Sequence, residues 1–182
     1  MKIVINEKVD LQKWTGFIKQ STFSSPFQTP EFFNFFNSID GFSANVFAVE
    51  ENNVYNALVV VTVQKEKGMK GFFSRRGIIY GGPLVKQNHS LALANLLEEI
   101  FTYYRKKLIY IEIRNYFDFS GYRNIFENIS FKYNPHLNVQ LSIGDRSFRD
   151  ILTKMKYNRR REINISYKEG ASVKFASDIE EV

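Results

Sequence analysis

The stretch from Arg75 to Lys107, RRGIIYGGPLVKQNHSLALANLLEEIFTYYRKK, constrains the fold more than any other part of the chain. Gly77 to Tyr80 has the β-branched and aromatic content of a buried strand. Gly81 and Gly82 permit positive φ or a close backbone approach, and Pro83 fixes φ and removes a donor, so the strand ends there. Leu91, Leu93, Leu96, Leu97, Ile100, Phe101 and Tyr104 then recur at helical spacing and predict one broad apolar face. Asn88 or Ser90 is the expected N-cap, and Arg105, Lys106 and Lys107 suit the negative end of the helix dipole. Leu108 to Arg114 follows as a strand. Strand, glycine turn, helix and strand make a βαβ unit, which requires a sheet with a helix packed on it.

The flanking sequence supplies the rest of that sheet. Lys2 to Ile5 reads as a short strand. Asp10 caps a helix with Leu11, Trp14, Phe17 and Ile18 inward. Thr29, Pro30 and Glu31 open a second helix, in which Phe32, Phe33, Phe35 and Phe36 require burial on more than one side or a cavity to line. Residues 44–50, the pair Asn52-Asn53 and Val54 to Gln64 form a hairpin, and Lys65 to Lys70 an exposed turn. Ile109, Ile111 and Ile113 alternate with Tyr110, Glu112 and Arg114. Ser120 to Asn128 predicts a short helix, and Phe131 to Ile143 a strand with Leu137, Val139, Leu141 and Ile143 on one face. Asp145 to Lys156 predicts a helix with Phe148, Ile151, Leu152 and Met155 inward. A basic helical run over Asn158 to Lys168 ends at Gly170. Ala171 to Phe175 then reads as a strand, and Asp178 to Val182 as a helix start. The fold class is α+β, a mixed sheet flanked by helices. Residues 1–145 form its first domain. Residues 146–182 are expected to begin a second unit that is not completed, as in a truncated product.

Composition excludes several chemistries. The chain has 182 residues and no cysteine, so disulfides, thiolate metal sites and cysteine nucleophiles are ruled out, which suits a cytoplasmic location. No apolar run is long enough to cross a bilayer. Formal net charge is +6, split evenly between residues 1–145 and the much shorter 146–182, so the last segment is the more basic per residue. That balance suits phosphates, nucleic acid or anionic headgroups, and equally a solvated surface. Eighteen Phe and ten Tyr either fill a core or line a groove. His89 and His136 lack ligand spacing and read as structural; no P-loop, HExxH or paired-carboxylate motif is present, and no metal site is expected.

The element order is similar to that of GNAT-type acyltransferases. Their pyrophosphate-binding signature, Q/R-x-x-G-x-G/A, is replaced here by Tyr80-Gly-Gly-Pro83. The chain resembles more closely a GNAT-like relative, the Fem family of peptidoglycan interpeptide-bridge aminoacyltransferases (FemA, FemB and FemX). The resemblance rests on Phe27-Gln-Thr-Pro-Glu-Phe32, on Ile79-Tyr-Gly-Gly-Pro-Leu84, on Tyr110-Ile-Glu-Ile-Arg114, and on the run from Arg160 to Gly170 followed by Val173. It implies two GNAT-like domains, the first contributing a groove for a peptidoglycan precursor. An aminoacyl-tRNA would be the donor and a stem-peptide amine the acceptor, in the cytoplasm, with the inner face of the membrane as one place of action. No cofactor is implied beyond that donor. This chain would be the first domain and the opening of the second, inactive by itself. In some members a lysine one turn beyond the helix aromatic holds precursor phosphates; Phe36 stands there in this chain.

The expected substrate-binding residues are Gln28, Phe32, Phe36, Tyr80, Gly81, Gly82 and Arg114, while catalytic residues cannot be assigned. Gln28 either reaches into a groove or acts as a turn amide bonded to backbone. Arg114 either pairs with an acid such as Glu112 or meets a phosphate or carboxylate. Arg159, Arg160, Arg161 and Lys168 either grip tRNA phosphates or cover a solvated helix face. Two rival functions are an N-acetyltransferase using acetyl-CoA and a non-catalytic domain binding nucleic acid or a cell-wall precursor.

Overall fold

In the computed structural model the described residues are 1–66, 68, 71, 74–137 and 144–173. They divide into two compact units, Met1–His136 and Leu137–Val182. The first is built on a sheet of strands β1 (Lys2–Ile5), β2 (Phe42–Glu51), β3 (Val54–Gln64), β4 (Arg76–Gly81), β5 (Leu84–Val85) and β6 (Tyr110–Asn115). Their order is β1-β2-β3-β4-β6, with β5 also on β3. Neighbours are antiparallel except β4 and β6, which run parallel from Arg76↔Tyr110 to Gly81↔Asn115. The predicted βαβ crossover is therefore present, and the sheet is mixed.

Both faces of the sheet are covered, which explains why β3 reads as an almost unbroken apolar run. Ala57, Val59 and Val61 face α3 (Ser90–Tyr104) and its Leu93, Leu96, Leu97 and Ile100. Tyr55, Leu58 and Val60 face α1 (Leu11–Gln20) and α2 (Pro30–Ser38), against Trp14 and Phe36. The local signals act as their chemistry requires. Asp10 accepts from Lys13 N at 2.9 Å, and Thr29 Oγ1 from Phe32 N at 3.3 Å. Asn52 and Asn53 take φ of 50° and 64°, as a tight two-residue hairpin loop demands.

The structure corrects several expectations. Neither Asn88 nor Ser90 caps α3. His89 holds that position without a side-chain bond to the helix, and Asn88 turns the chain at φ 64°. Leu11, Leu91, Phe101 and Ile109, placed on inward faces by periodicity, are exposed. Each sits at the margin of its apolar stripe or, for Ile109, before the strand begins. Ser120–Tyr122 is a 3-10 turn leading into α4 (Arg123–Asn128). Residues 131–137 form no regular element, and 138–143 lie outside the described residues, as do 67, 69 and 70 of the expected turn.

In the second unit, α5 (Phe148–Lys154) is closed by a Ser147–Asp150 capping box, but Phe148 is exposed rather than inward. Helix α6 (Tyr157–Lys168) ends before Gly170, whose φ is 93°. Residues 171–173 are irregular; the remainder of the strand expected to Phe175 and the helix start at Asp178 lie outside the described residues.

Candidate functional site

The site is organised by a departure in the sheet. β4 pairs with β3 only at Thr62↔Ile78, Val63↔Gly77 and Gln64↔Arg76. The chain then swings away and returns as β5 to pair Ala57↔Val85 and Leu58↔Leu84. Residues 59–61 of β3 thus stand opposite residues 79–83, and the backbone groups between are left without their ladder partners. Gln28 fills the gap. Its Oε1 accepts from Val60 N at 2.7 Å, and its Nε2 donates to Tyr80 O at 2.8 Å. The side chain is fully buried and acts as a short piece of surrogate strand. Its own carbonyl accepts from Trp14 Nε1 at 2.8 Å, which fixes the loop before α2 to α1.

Gly81 and Gly82 make the departure possible, with φ of 80° and 82°. Their bare faces are packed by protein. A Cβ on Gly81 would lie 2.3 Å from Ser25 Oγ, and one on Gly82 2.4 Å from Asn115 Oδ1 and 3.0 Å from Phe119. The Ser25 hydroxyl is buried and makes no hydrogen bond. Gly81→Ala is accordingly expected to cost about 2–4 kcal/mol, from left-handed strain plus overpacking. Adding Ser25→Gly should recover the packing part and leave the backbone part, as read by chemical denaturation.

Above this scaffold, rings from three segments meet. Phe27 lies 4.7 Å from Phe32, 5.3 Å from Tyr80 and 5.7 Å from Tyr116, centroid to centroid. Phe36 stacks on Tyr80 at 5.9 Å with their planes 4° apart, and lies 5.7 Å from Phe32. Phe36 is buried, whereas Phe27, Phe32, Tyr80 and Tyr116 are half-buried. The result is a partly open aromatic platform at the C-terminal end of β4. The parallel register sets Arg114 beside Tyr80, and its guanidinium carbon lies 5.3 Å from that ring's centroid. Arg114 Nε donates to Glu112 Oε1 at 2.8 Å and Nη2 to Oε2 at 3.3 Å. That bond holds the Glu112 carboxyl below its ordinary range and raises the guanidinium. Both side chains are nearly half exposed, so the pair orients Arg114 more than it stabilises the fold.

The structure therefore gathers Phe32, Phe36, Tyr80 and Arg114 at one place, with Gln28, Gly81 and Gly82 as the support beneath. Gln28 takes the turn-amide role, across a longer span than a turn, and Arg114 takes the paired role with Glu112. Phe27 and Tyr116 belong to the platform and were missed, although Phe27 directly precedes Gln28 and Tyr116 lies two residues beyond Arg114. Arg159, Arg160, Arg161 and Lys168 lie on α6 of the second unit; Arg159 Nη1 donates to Glu162 at 2.8 Å, and Arg161 and Lys168 are exposed. His89 Nδ1 lies 2.9 Å from Gln87 O. Among the described residues no cluster of metal-ligating side chains occurs.

No family model and no curated protein sequence matches the chain. Solved structures do. The structure of FemX matches 97% of this chain with a TM-score of 0.62 at 14% identity, and the match spans 46% of the FemX chain. A probable acetyltransferase matches 80% of this chain and 100% of its own, with a TM-score of 0.52 at 18% identity. An aminoglycoside antibiotic 6'-N-acetyltransferase from Acinetobacter haemolyticus matches the same shares with a TM-score of 0.54 at 11% identity. The mixed sheet, its parallel crossover and its flanking helices are those of a Fem-like, GNAT-type α+β fold.

Proposed function

We infer that this chain is part of an aminoacyl- or acyltransferase and that the aromatic platform receives the amine acceptor, a peptidoglycan precursor. The observation that carries this reading is the convergence of Phe27, Phe32, Tyr80 and Tyr116 with the oriented guanidinium of Arg114, on a fold matched by FemX over nearly the whole chain. An apolar surface of mutually inclined rings with a cation at its rim suits a ligand carrying both an apolar or ring face and an anionic group. Phe36, buried against Tyr80, adds no charge there, so Arg114 is the platform's anion-binding residue.

The reaction would be aminolysis. The acceptor amine attacks the donor's ester carbonyl, the N–C bond forms, the C–O bond breaks, and the amine proton passes to the departing hydroxyl. The platform contributes orientation of the acceptor, which converts an encounter into a held geometry. The donor proposed is an aminoacyl-tRNA, with α6 and its Arg159, Arg160, Arg161 and Lys168 as the phosphate-holding surface. Acyl transfer from acetyl-CoA is the second reading, favoured by the acetyltransferase neighbours. The packing of Ser25, Asn115 and Phe119 over the Gly81–Gly82 turn weighs against that turn as a pyrophosphate cradle.

Parallel calorimetric titrations separate the two. A soluble muramyl-peptide precursor is expected to bind and acetyl-CoA to show no saturable heat. Saturable binding of acetyl-CoA with none of the precursor would reverse the assignment.

A further inference from the structure

We propose, resting on the acceptor's assignment to the aromatic platform, that Glu112 is a second ligand-contacting residue there and selects an acceptor whose amine-bearing carbon also carries a carboxylate. Glu112 and Arg114 are two residues apart on β6, so both side chains leave the same face of the strand. The parallel register sets Glu112 beside Ile78, which is buried, and Arg114 beside Tyr80. An anion and a cation thus stand side by side next to an apolar side chain and a ring.

Neither charge is saturated by the other. Arg114 uses Nε and Nη2 on Glu112, and its Nη1 makes no hydrogen bond among the described residues. Each Glu112 oxygen accepts one bond from Arg114 and keeps further acceptor capacity. The Arg114 and Glu112 side chains are 46% and 43% exposed, so a ligand reaches both. Beyond Arg114, Glu112 feels Arg76 and His136, and the carboxylate that acts on Arg114 is that of Glu112. Arg76 is itself occupied by Gln64 Oε1, 3.1 Å from its Nε and 2.9 Å from its Nη2.

Such a pair selects by the pattern of signs. A lone anion drawn to Arg114 is repelled by the carboxylate beside it, and a lone ammonium drawn to Glu112 is repelled by the guanidinium. A ligand with both charges adjacent meets each with its opposite. Its carboxylate takes the free Nη1 edge and its ammonium the Glu112 oxygens, as charge-assisted hydrogen bonds. An α-amino acid end has that pattern; a phosphate or an isolated side-chain amine does not.

Calorimetric titration of the full chain with soluble muramyl tripeptides that differ only in the last residue tests this. Diaminopimelate bears ammonium and carboxylate on its distal carbon, lysine keeps the ammonium alone, and 2-aminopimelate keeps the carboxylate alone. The diaminopimelate peptide is expected to bind at least about tenfold more tightly than either of the others, each having lost one hydrogen bond between charged groups. In Glu112→Gln, with circular dichroism as the folding control, the aminopimelate peptide should bind at least as well as the diaminopimelate one. It should also bind more tightly than it does to the parent, because the opposing carboxylate is gone. A Glu112 that only orients Arg114 would instead give an equal weakening of every peptide. That result, or equal affinities of the peptides for the parent chain, would overturn the proposal and leave the platform standing as the acceptor site. Binding of none of them would remove the acceptor reading as well.

Discussion

Gln28→Ala is expected to lower the unfolding free energy by about 3–5 kcal/mol, because it strips partners from two buried backbone groups and leaves a cavity. Val60 N–H and Tyr80 C=O face the gap where β3 and β4 no longer pair; the carboxamide is their partner. Gln28→Leu keeps most of the volume but neither bond, so it should be nearly as damaging. Gln28→Glu keeps an acceptor for Val60 but sets a carboxylate oxygen against the Tyr80 carbonyl in a buried site, and should be worse still at neutral pH. Urea unfolding measures all three. For a chain of this size the alanine variant should melt roughly 10 °C lower. A leucine variant as stable as the parent would show that the amide is dispensable and that the departure of β4 from β3 is held by other contacts.

The second large effect concerns ligand binding. Arg114→Ala is expected to weaken precursor binding about tenfold or more, since hydrogen bonds to a charged group are each worth about 1.5–3 kcal/mol. Its cost to stability should stay below about 1 kcal/mol, because the pair with Glu112 is solvent-exposed. Tyr80→Leu should also weaken binding about tenfold, through loss of a flat ring worth about 1–3 kcal/mol in stacking, and should destabilise the fold as well, because Phe36 and Phe27 pack on that ring. The two variants thus differ in stability while agreeing in binding. An Arg114→Ala chain that binds the precursor as well as the parent would remove Arg114 from the site.

Much of this arrangement was legible in the residues because its causes are local. The glycine turn after Ile79-Tyr80, the helical repeat that follows and the strand after it announced the parallel crossover. Asn52-Asn53 and Thr29-Pro30-Glu31 marked a hairpin and a helix start by side-chain chemistry alone. That Gln28 bonds to backbone is one of the two readings its position offers, but which groups it holds was not legible, because they lie 32 and 52 residues away and are ordinary backbone groups. Tyr80 and Arg114 were both singled out, but their meeting depends on the β4–β6 register, which alternation along each strand does not fix. Periodicity also overstated the apolar faces. Leu91 and Phe101 match the repeat of α3 yet lie outside the arc that touches the sheet.

The proposed function puts the acceptor on the aromatic platform at the end of β4. Amide and aromatic chemical-shift mapping during titration with the soluble precursor tests this most directly. Saturable shifts are expected, concentrated at Phe27, Phe32, Tyr80, Arg114 and Tyr116, and they should disappear in Arg114→Ala at the same ligand concentration. Saturable shifts confined to the Lys86–Ser90 loop and the start of α3, with Tyr80 and Arg114 unmoved, would contradict it.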